Sequence, residues 1–307
     1  MSDTFGNVLK ITTFGESHGP FEGLVLSGLE SNFAISQEEI AKALSERRPG
    51  AIGTTARIEP DEFEIVSGIF EGKTTGTALA ILIKNTEQKS EDYEQLKDTF
   101  RPGHADFTYQ AKYGFRDYRG GGRASGRETV ARVAAGSICK QILKSHGIEI
   151  KAEIVSIAGK TENWQDMIAE ASEKNEALGG KIRCTVSGVE AGLGEPVFDK
   201  LDAVISHAVM SIGAIKGIEF GSGFNCEMLS SAENNKTENA GGILGGISDG
   251  NNIIFDVAVK PTPSAGLSER HDTCIALRIA PVVEAMTAIA ILDMYYIRHG
   301  NSFKSEG

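Results

Sequence analysis

The sequence predicts an α+β fold in one domain, with antiparallel strands and helices interleaved along all 307 residues. Three observations predict it. Apolar residues alternate through 55–85, as in Ile58, Phe63, Ile65 and Leu79, Ile81, Ile83, which is the period of half-buried strands. Two Ser-x-x-Glu patterns, at Ser36–Glu39 and Ser125–Glu128, each stand before an apolar run of helical period. No Pro/Ser-rich linker or strong repeat divides the chain. Hydrophobic residues make up 40% and charged residues 24%, enough for a sizeable core and against global disorder.

In order, 5–30 reads as strand, turn, strand, broken at Phe14-Gly15-Glu16-Ser17-His18-Gly19-Pro20. A helix follows over Gln37–Arg48 and stops at Pro49-Gly50. Antiparallel strands fill 55–85, and 86–122 reads mostly as loop, a length that usually carries function. The second capping pattern opens a helix through Val130, Val133, Ala134, Ile138 and Ile142, ending at Gly147. Its small residues Ala131, Ala134, Ala135 and Gly136 permit close packing. Strands are expected near 148–158, 181–190, 215–229 and 252–260, and helices at 163–177, 199–212 and 281–298.

The net charge of −11 argues against general nucleic-acid binding. Between Arg101 and Arg132, seven Lys/Arg stand against three Asp/Glu, a net of +4, so the rest of the chain carries −15. Such a stretch either binds a small polyanion or forms an exposed, ion-paired face. The four cysteines, Cys139, Cys184, Cys226 and Cys274, are far apart, so neither a disulfide framework nor a structural zinc site is expected. The start, Met1-Ser2-Asp3-Thr4-Phe5, does not read as a signal peptide and no apolar run reaches membrane-spanning length; a cytoplasmic location with no membrane partner is the expectation.

Four groups could do chemistry. His18 stands near Gly15 and beside Gly19 at a strand end, where it serves as acid or base, or merely bonds the turn. Arg101 and His104 share the cationic loop with Asp106, an arrangement for protonating a leaving phosphate or a plain surface ion pair. Gly120-Gly121-Gly122-Arg123-Ala124-Ser125-Gly126-Arg127 leads glycines and two arginines into a helix start. That is an anion site by dipole and charge, or a hinge before a salt-bridged helix. Arg132, five residues after Arg127, points about 140° away around the helix and has Glu128 as an i,i+4 partner. Lys260-Pro261-Thr262-Pro263-Ser264 with Arg270-His271-Asp272 holds a phosphate, or is an edge strand and a turn. The P-loop spacing is missing, and no metal set is recognisable. His146, His207 and His299 read as structural.

Together these pieces resemble the chorismate synthase family. The similar segments are FGESHG (14–19), ERRPG (46–50), SGIFEGKTTGT (67–77), FRPGHADFTYQAKYGFRDYRGGGRASGRETVARVAAG (100–136), GLGEPVFDKLDA (192–203), AGGILGGISDG (240–250), KPTPS (260–264) and RHDTCIALRIAPVVEAM (270–286). The resemblance implies an α/β sandwich of antiparallel sheets and helices, assembled as a homotetramer. It implies conversion of 5-enolpyruvylshikimate-3-phosphate to chorismate by 1,4-elimination of phosphate, with reduced FMN and no net redox change. Flavin reduction comes from NADPH through an intrinsic reductase or from an outside donor.

By resemblance, His18 is the proton partner of the reduced flavin, His104 protonates the departing phosphate, and Asp272 is the candidate base that relays the proton taken up by the flavin. Ser17, Arg47, Arg48, Arg101, Arg127 and Arg132 bind substrate. Arg123, Ala124, Ser125, Gly213, Ala214, Gly245, Lys260, Pro261, Thr262, Pro263, Ser264 and Arg270 hold the flavin. The chain departs from the family pattern at Gly213, where an asparagine is usual, and at Thr273, where a proline is usual. It is also shortened near 159–180 and at 265–269. Those losses leave an alternative, a flavin- or anion-binding relative with weak or lost activity.

Overall fold

The computed structural model describes residues 3–49, 54, 60–86, 97, 99–263 and 272–301. In chain order the elements begin with strands β1 (Thr4–Phe5), β2 (Lys10–Gly15), β3 (Phe21–Ser27) and β4 (Ser31–Ala34), followed by helix α1 (Gln37–Glu46). Then come β5 (Phe63–Ser67), β6 (Ile69–Phe70), β7 (Lys73–Thr75) and β8 (Leu79–Lys84), and helices α2 (Asp106–Tyr113) and α3 (Thr129–Ser145). The second half runs β9 (Glu149–Ile157), α4 (Trp164–Glu173), β10 (Gly180–Ser187), α5 (Leu201–Met210) and β11 (Ile215–Phe220). It ends with the short helices α6 (Ser231–Asn234) and α7 (Thr237–Ala240), the strands β12 (Ile243–Leu244), β13 (Ile247–Ser248) and β14 (Ile253–Val259), and α8 (Ala276–His299).

Two antiparallel sheets carry the architecture, one in the order β1-β2-β3-β8-β5 and the other β11-β14-β10-β9. Strand alternation turns one face of each inward: Leu24 and Leu26 of β3 and Leu79, Ile81 and Ile83 of β8 are fully buried, as are Ile253 and Val257 of β14. Helix α3 packs on the first sheet, α8 on β9 and β10 of the second, and the two helices pack on each other between the sheets. Gly136 of α3 sets that crossing: a Cβ there would lie 2.4 Å from Ala285 Cα of α8. Helix α8 is apolar nearly all round because it is buried on all sides. Its one buried acid, Asp293, accepts hydrogen bonds from the backbone N–H groups of Asn7, Val8 and Leu9 at 2.8, 2.8 and 2.9 Å. It thereby ties the chain ahead of β2 to the central helix.

Among the described residues the expected elements are present with four corrections; 55–59, with Ile58, the first part of the expected strand stretch, lie outside the described residues. The stretch 86–122 is not all loop among its described residues. Asp106 opens α2, and Gly114, at φ +70°, closes it in the left-handed conformation that helix ends favour. Neither capping pattern completes its reciprocal arm. Ser36 Oγ accepts from Glu39 N, but Ser36 N donates to Gln141 Oε1 of α3. Ser125 Oγ accepts from Arg127 N, and Glu128 turns instead to Arg132 and Thr13. Strand β11 stops at Phe220, because the chain turns at Gly221 (φ +55°). Helix α8 begins five residues before Pro281, whose missing N–H falls near the helix start, where the early bonds Arg278 N to Ile275 O and Ile279 N to Ile275 O already hold the turn.

Candidate active site

The chemistry-bearing residues gather where β2, β8 and β14 end and β3, α3 and α8 begin. The β2–β3 hairpin closes at the Gly15–Glu22 pair, so Glu16–Pro20 form its tip. Gly19 N donates to Glu16 O at 2.7 Å, which makes the tip a tight turn. Asn85, just past β8, clamps it through Nδ2 to Gly19 O at 2.8 Å and Glu16 O at 3.2 Å. Ser17 is buried, and its Oγ has no hydrogen-bond partner among the described residues. His18 packs on the glycine run: a Cβ on Gly120 would stand 2.2 Å from His18 Cδ2, so only glycine lets the backbone approach this ring.

Asp61, buried beside the end of α1, collects three arginines from two segments. Arg47 Nη1 reaches it at 3.4 Å, Arg48 Nε at 3.3 Å, and Arg127 Nη1 through a short contact. Arg127 also donates from Nε to Asn85 Oδ1 at 2.7 Å and from Nη2 to Lys84 O at 2.8 Å, which joins the arginine cluster to the hairpin clamp. Three guanidinium groups around one carboxylate leave an excess of positive charge, which suits an anionic ligand.

His104 has its own support. Arg101 grips Asp106 through Nε and Nη2, both at 2.8 Å, and through its backbone N at 3.0 Å. His104 Nδ1 lies 3.0 Å from Asp106 Oδ1 and 3.0 Å from Arg101 Nη2. Burial pushes the Asp106 carboxyl up, but the hydrogen bonds and charge of Arg101 and the nearby His104 outweigh it and hold Asp106 well below the usual carboxylate range. An ionised Asp106 accepts from Nδ1–H and leaves Nε2 as the nitrogen that exchanges a proton. Arg101, expected to bind substrate, is therefore engaged by Asp106. Arg132 is similarly engaged: its Nε meets both oxygens of Glu128 at 2.9 Å, as the i,i+4 spacing predicts, and its Nη1 donates to Ser211 Oγ at 2.5 Å.

The C-terminal pieces join the same end. Lys260 N donates to Ala214 O at 2.9 Å, which brings Gly213-Ala214 beside Lys260–Pro263. Thr262 Oγ1 donates to Asp272 O at 2.7 Å. A Cβ on Gly103 would touch Pro263 at 3.4 Å, so the His104 loop lies against this segment. Asp272 is buried and accepts from Arg278 Nη1 at 2.7 Å, and Arg278 Nε donates to Arg47 O at 3.2 Å. Gly245 stands elsewhere. Its hairpin packs at the start of α5, where Leu201 N donates to Gly246 O, whereas Gly213 follows the end of α5. Ser264 and Arg270 lie outside the described residues. Among the described residues, no group of three or more His, Cys, Asp or Glu could hold a metal ion. No helix there is long and apolar enough to cross a membrane.

A family model described as chorismate synthase matches residues 9–296. The chain is a member of the chorismate synthase family. Curated chorismate synthases from two strains of Nitratidesulfovibrio vulgaris, DP4 and Hildenborough, are each 43% identical over 339 aligned positions, covering 95% of this chain and 96% of theirs. The alignment is longer than the 307 residues here, so those relatives carry segments that this chain lacks. A solved structure described as the crystal structure of chorismate synthase superposes with a TM-score of 0.82 at 30% identity, covering 98% of this chain and 95% of that one. The antiparallel sandwich is thus the family's fold, and the family's activity is that of a lyase.

The residues present fit a phosphorylated flavin. Among the described residues nothing stands within 4 Å of where a Gly213 Cβ would be. Arg123, at the turn before α3, spends three of its donors on Gly15 O, Thr13 O and Thr13 Oγ1, and a guanidinium has five. Sequence reasoning missed Asp61 and Asn85, which organise arginines from distant segments, and Glu22. The signal for Glu22 was readable: it shares strand parity with buried Leu24 and Leu26.

Proposed function

We propose that this chain converts 5-enolpyruvylshikimate-3-phosphate to chorismate and phosphate by 1,4-elimination, with reduced FMN as cofactor. Family membership supplies the reaction class. The observation that carries the reading is the convergence of both expected histidines, Asp272 and the Asp61-centred arginines at one end of the fold.

Arg47, Arg48 and Arg127 attract the substrate's phosphate and carboxylates, with Asp61 fixing their spacing. His104 gives the proton on Nε2 to the departing phosphate, while Asp106 keeps Nδ1–H and so holds the ring through the transfer. Asp272, held by Arg278, is the base that would relay the ring proton away from the cofactor side. His18, packed against Gly120, is the proton partner on the cofactor side. Arg123, Ala124, Ser125, Gly213, Ala214 and Lys260 to Pro263 would hold the flavin. When bound, the flavin would supply electron-rich chemistry with no net redox change. Assembly as a homotetramer belongs to the same proposal. Exposed Phe198, Phe224 and Met228 are apolar surface that such an assembly could cover.

Kinetics of variants test the roles. His104→Ala should lower kcat by about 10²–10⁴-fold with little change in KM, because a proton donor to the leaving group acts in the transition state. His18→Ala should behave alike. Near-parental turnover in both variants, measured anaerobically with reduced FMN, would show that the roles are misassigned.

A further inference from the structure

Glu22 is a group the reaction does not use. It sits on the inner face of β3, 0% exposed, and neither carboxylate oxygen has a hydrogen-bond partner among the described residues. A buried, unsatisfied carboxyl is costly and calls for an explanation. Its nearest cation is Arg123, with Nη1 at 3.8 Å from Glu22 Oε2. Arg123 is itself ringed by acids: Glu128 Oε1 stands 3.7 Å away and Asp3 Oδ1 3.6 Å away. The other charged groups acting on Glu22 are Glu16 of the hairpin tip and Arg127 of the turn before α3.

One guanidinium facing three ionised carboxylates is a poor place for a phosphate. With Glu22 neutral, Arg123 keeps more of its charge for a ligand. Burial favours that neutral form: it raises the carboxyl to about 7, against the pull of Arg123 and with the push of Glu128. We propose that Glu22 is a proton-linked positioning residue for the Arg123 anion site, which leaves Arg123 to the cofactor phosphate when protonated and competes with that phosphate when ionised. The inference rests on the reading that Arg123 holds the flavin.

The test is the dissociation constant of oxidised FMN between pH 6 and pH 8, for the full-length protein and for Glu22→Gln. The phosphate of FMN titrates near pH 6 and affects both proteins, so the ratio of their constants isolates Glu22. If the ionised form binds poorly, linkage predicts that the parent weakens relative to the variant by up to about tenfold over that range. Calorimetry in two buffers of different ionisation enthalpy gives a second readout. At pH 7.5 the parent should take up more protons on binding FMN than the variant does. A ratio that stays flat, with equal proton uptake, overturns the role of Glu22 and leaves the flavin reading intact. Absence of FMN binding by either protein overturns the flavin reading, and the inference with it.

Discussion

Glu22 shows at the scale of one side chain how site and stability are set against each other. Its carboxyl titrates near the ordinary 4.5 in the unfolded chain and at about 7 in the fold. Below pH 4.5 the group is neutral in both states and costs nothing by titration. As pH rises through 4.5 to about 7, only the unfolded state gains the charge, so stability falls and then levels off. At 1.36 kcal/mol per unit, the full loss is about 3 kcal/mol. Urea unfolding at pH 4.5 and pH 8 should show this decline in the parent, and Glu22→Gln should lack that part of it. Equal declines in both would mean that Glu22 is ionised in the fold. Asp61 and Asp106 illustrate what a sequence hides at this scale. Each is one acid among 42, and only folding brings Arg47, Arg48 and Arg127 to the first. Arg101 and His104 are local to the second, and that pairing was legible as a candidate ion pair.

Elements were more legible than side-chain partners, because helix and strand periods are local signals. Helix α1 and the β2–β3 hairpin stand where their patterns place them. Helix α2 was missed because its eight residues carry aromatic and polar side chains with Asp106 as its one buried residue, so no apolar stripe marks it. The start of α8 was missed because Pro281 reads as a first-turn residue, whereas the buried helix continues on both sides of it. The small residues of α3 were legible as a close-packing signal, and Gly136 is where it matters. Alanine there gains about 1 kcal/mol of helix propensity. Its Cβ would nevertheless stand 2.4 Å from the Ala285 backbone, which cannot rotate aside. Gly136→Ala should therefore be destabilising on balance, by about 1–3 kcal/mol, seen as a lowered Tm. An unchanged or raised Tm would mean that α3 and α8 separate at little cost.

At the scale of the molecule, two antiparallel sheets enclose two long helices, and the ends of those layers build the site. The turn before α3 reaches the hairpin tip through Arg127 and Asn85, α8 brings Arg278 to Asp272 and Arg47, and β14 delivers Lys260 beside Ala214. A chain of net charge −11 brings Arg47, Arg48 and Arg127 together at this end, and its cationic stretch was visible before the fold was. The positions joined only by folding, such as Asn85 with Arg127, were not. The central claim is that this end of the fold catalyses a 1,4-elimination that leaves its flavin reduced. Its most direct test is an anaerobic reaction of the full-length protein with 5-enolpyruvylshikimate-3-phosphate and sub-stoichiometric reduced FMN, following chorismate, phosphate and flavin absorbance together. The account predicts one chorismate per phosphate over many turnovers, with the flavin still reduced at the end. Phosphate without chorismate, or flavin oxidised in step with product, would contradict it.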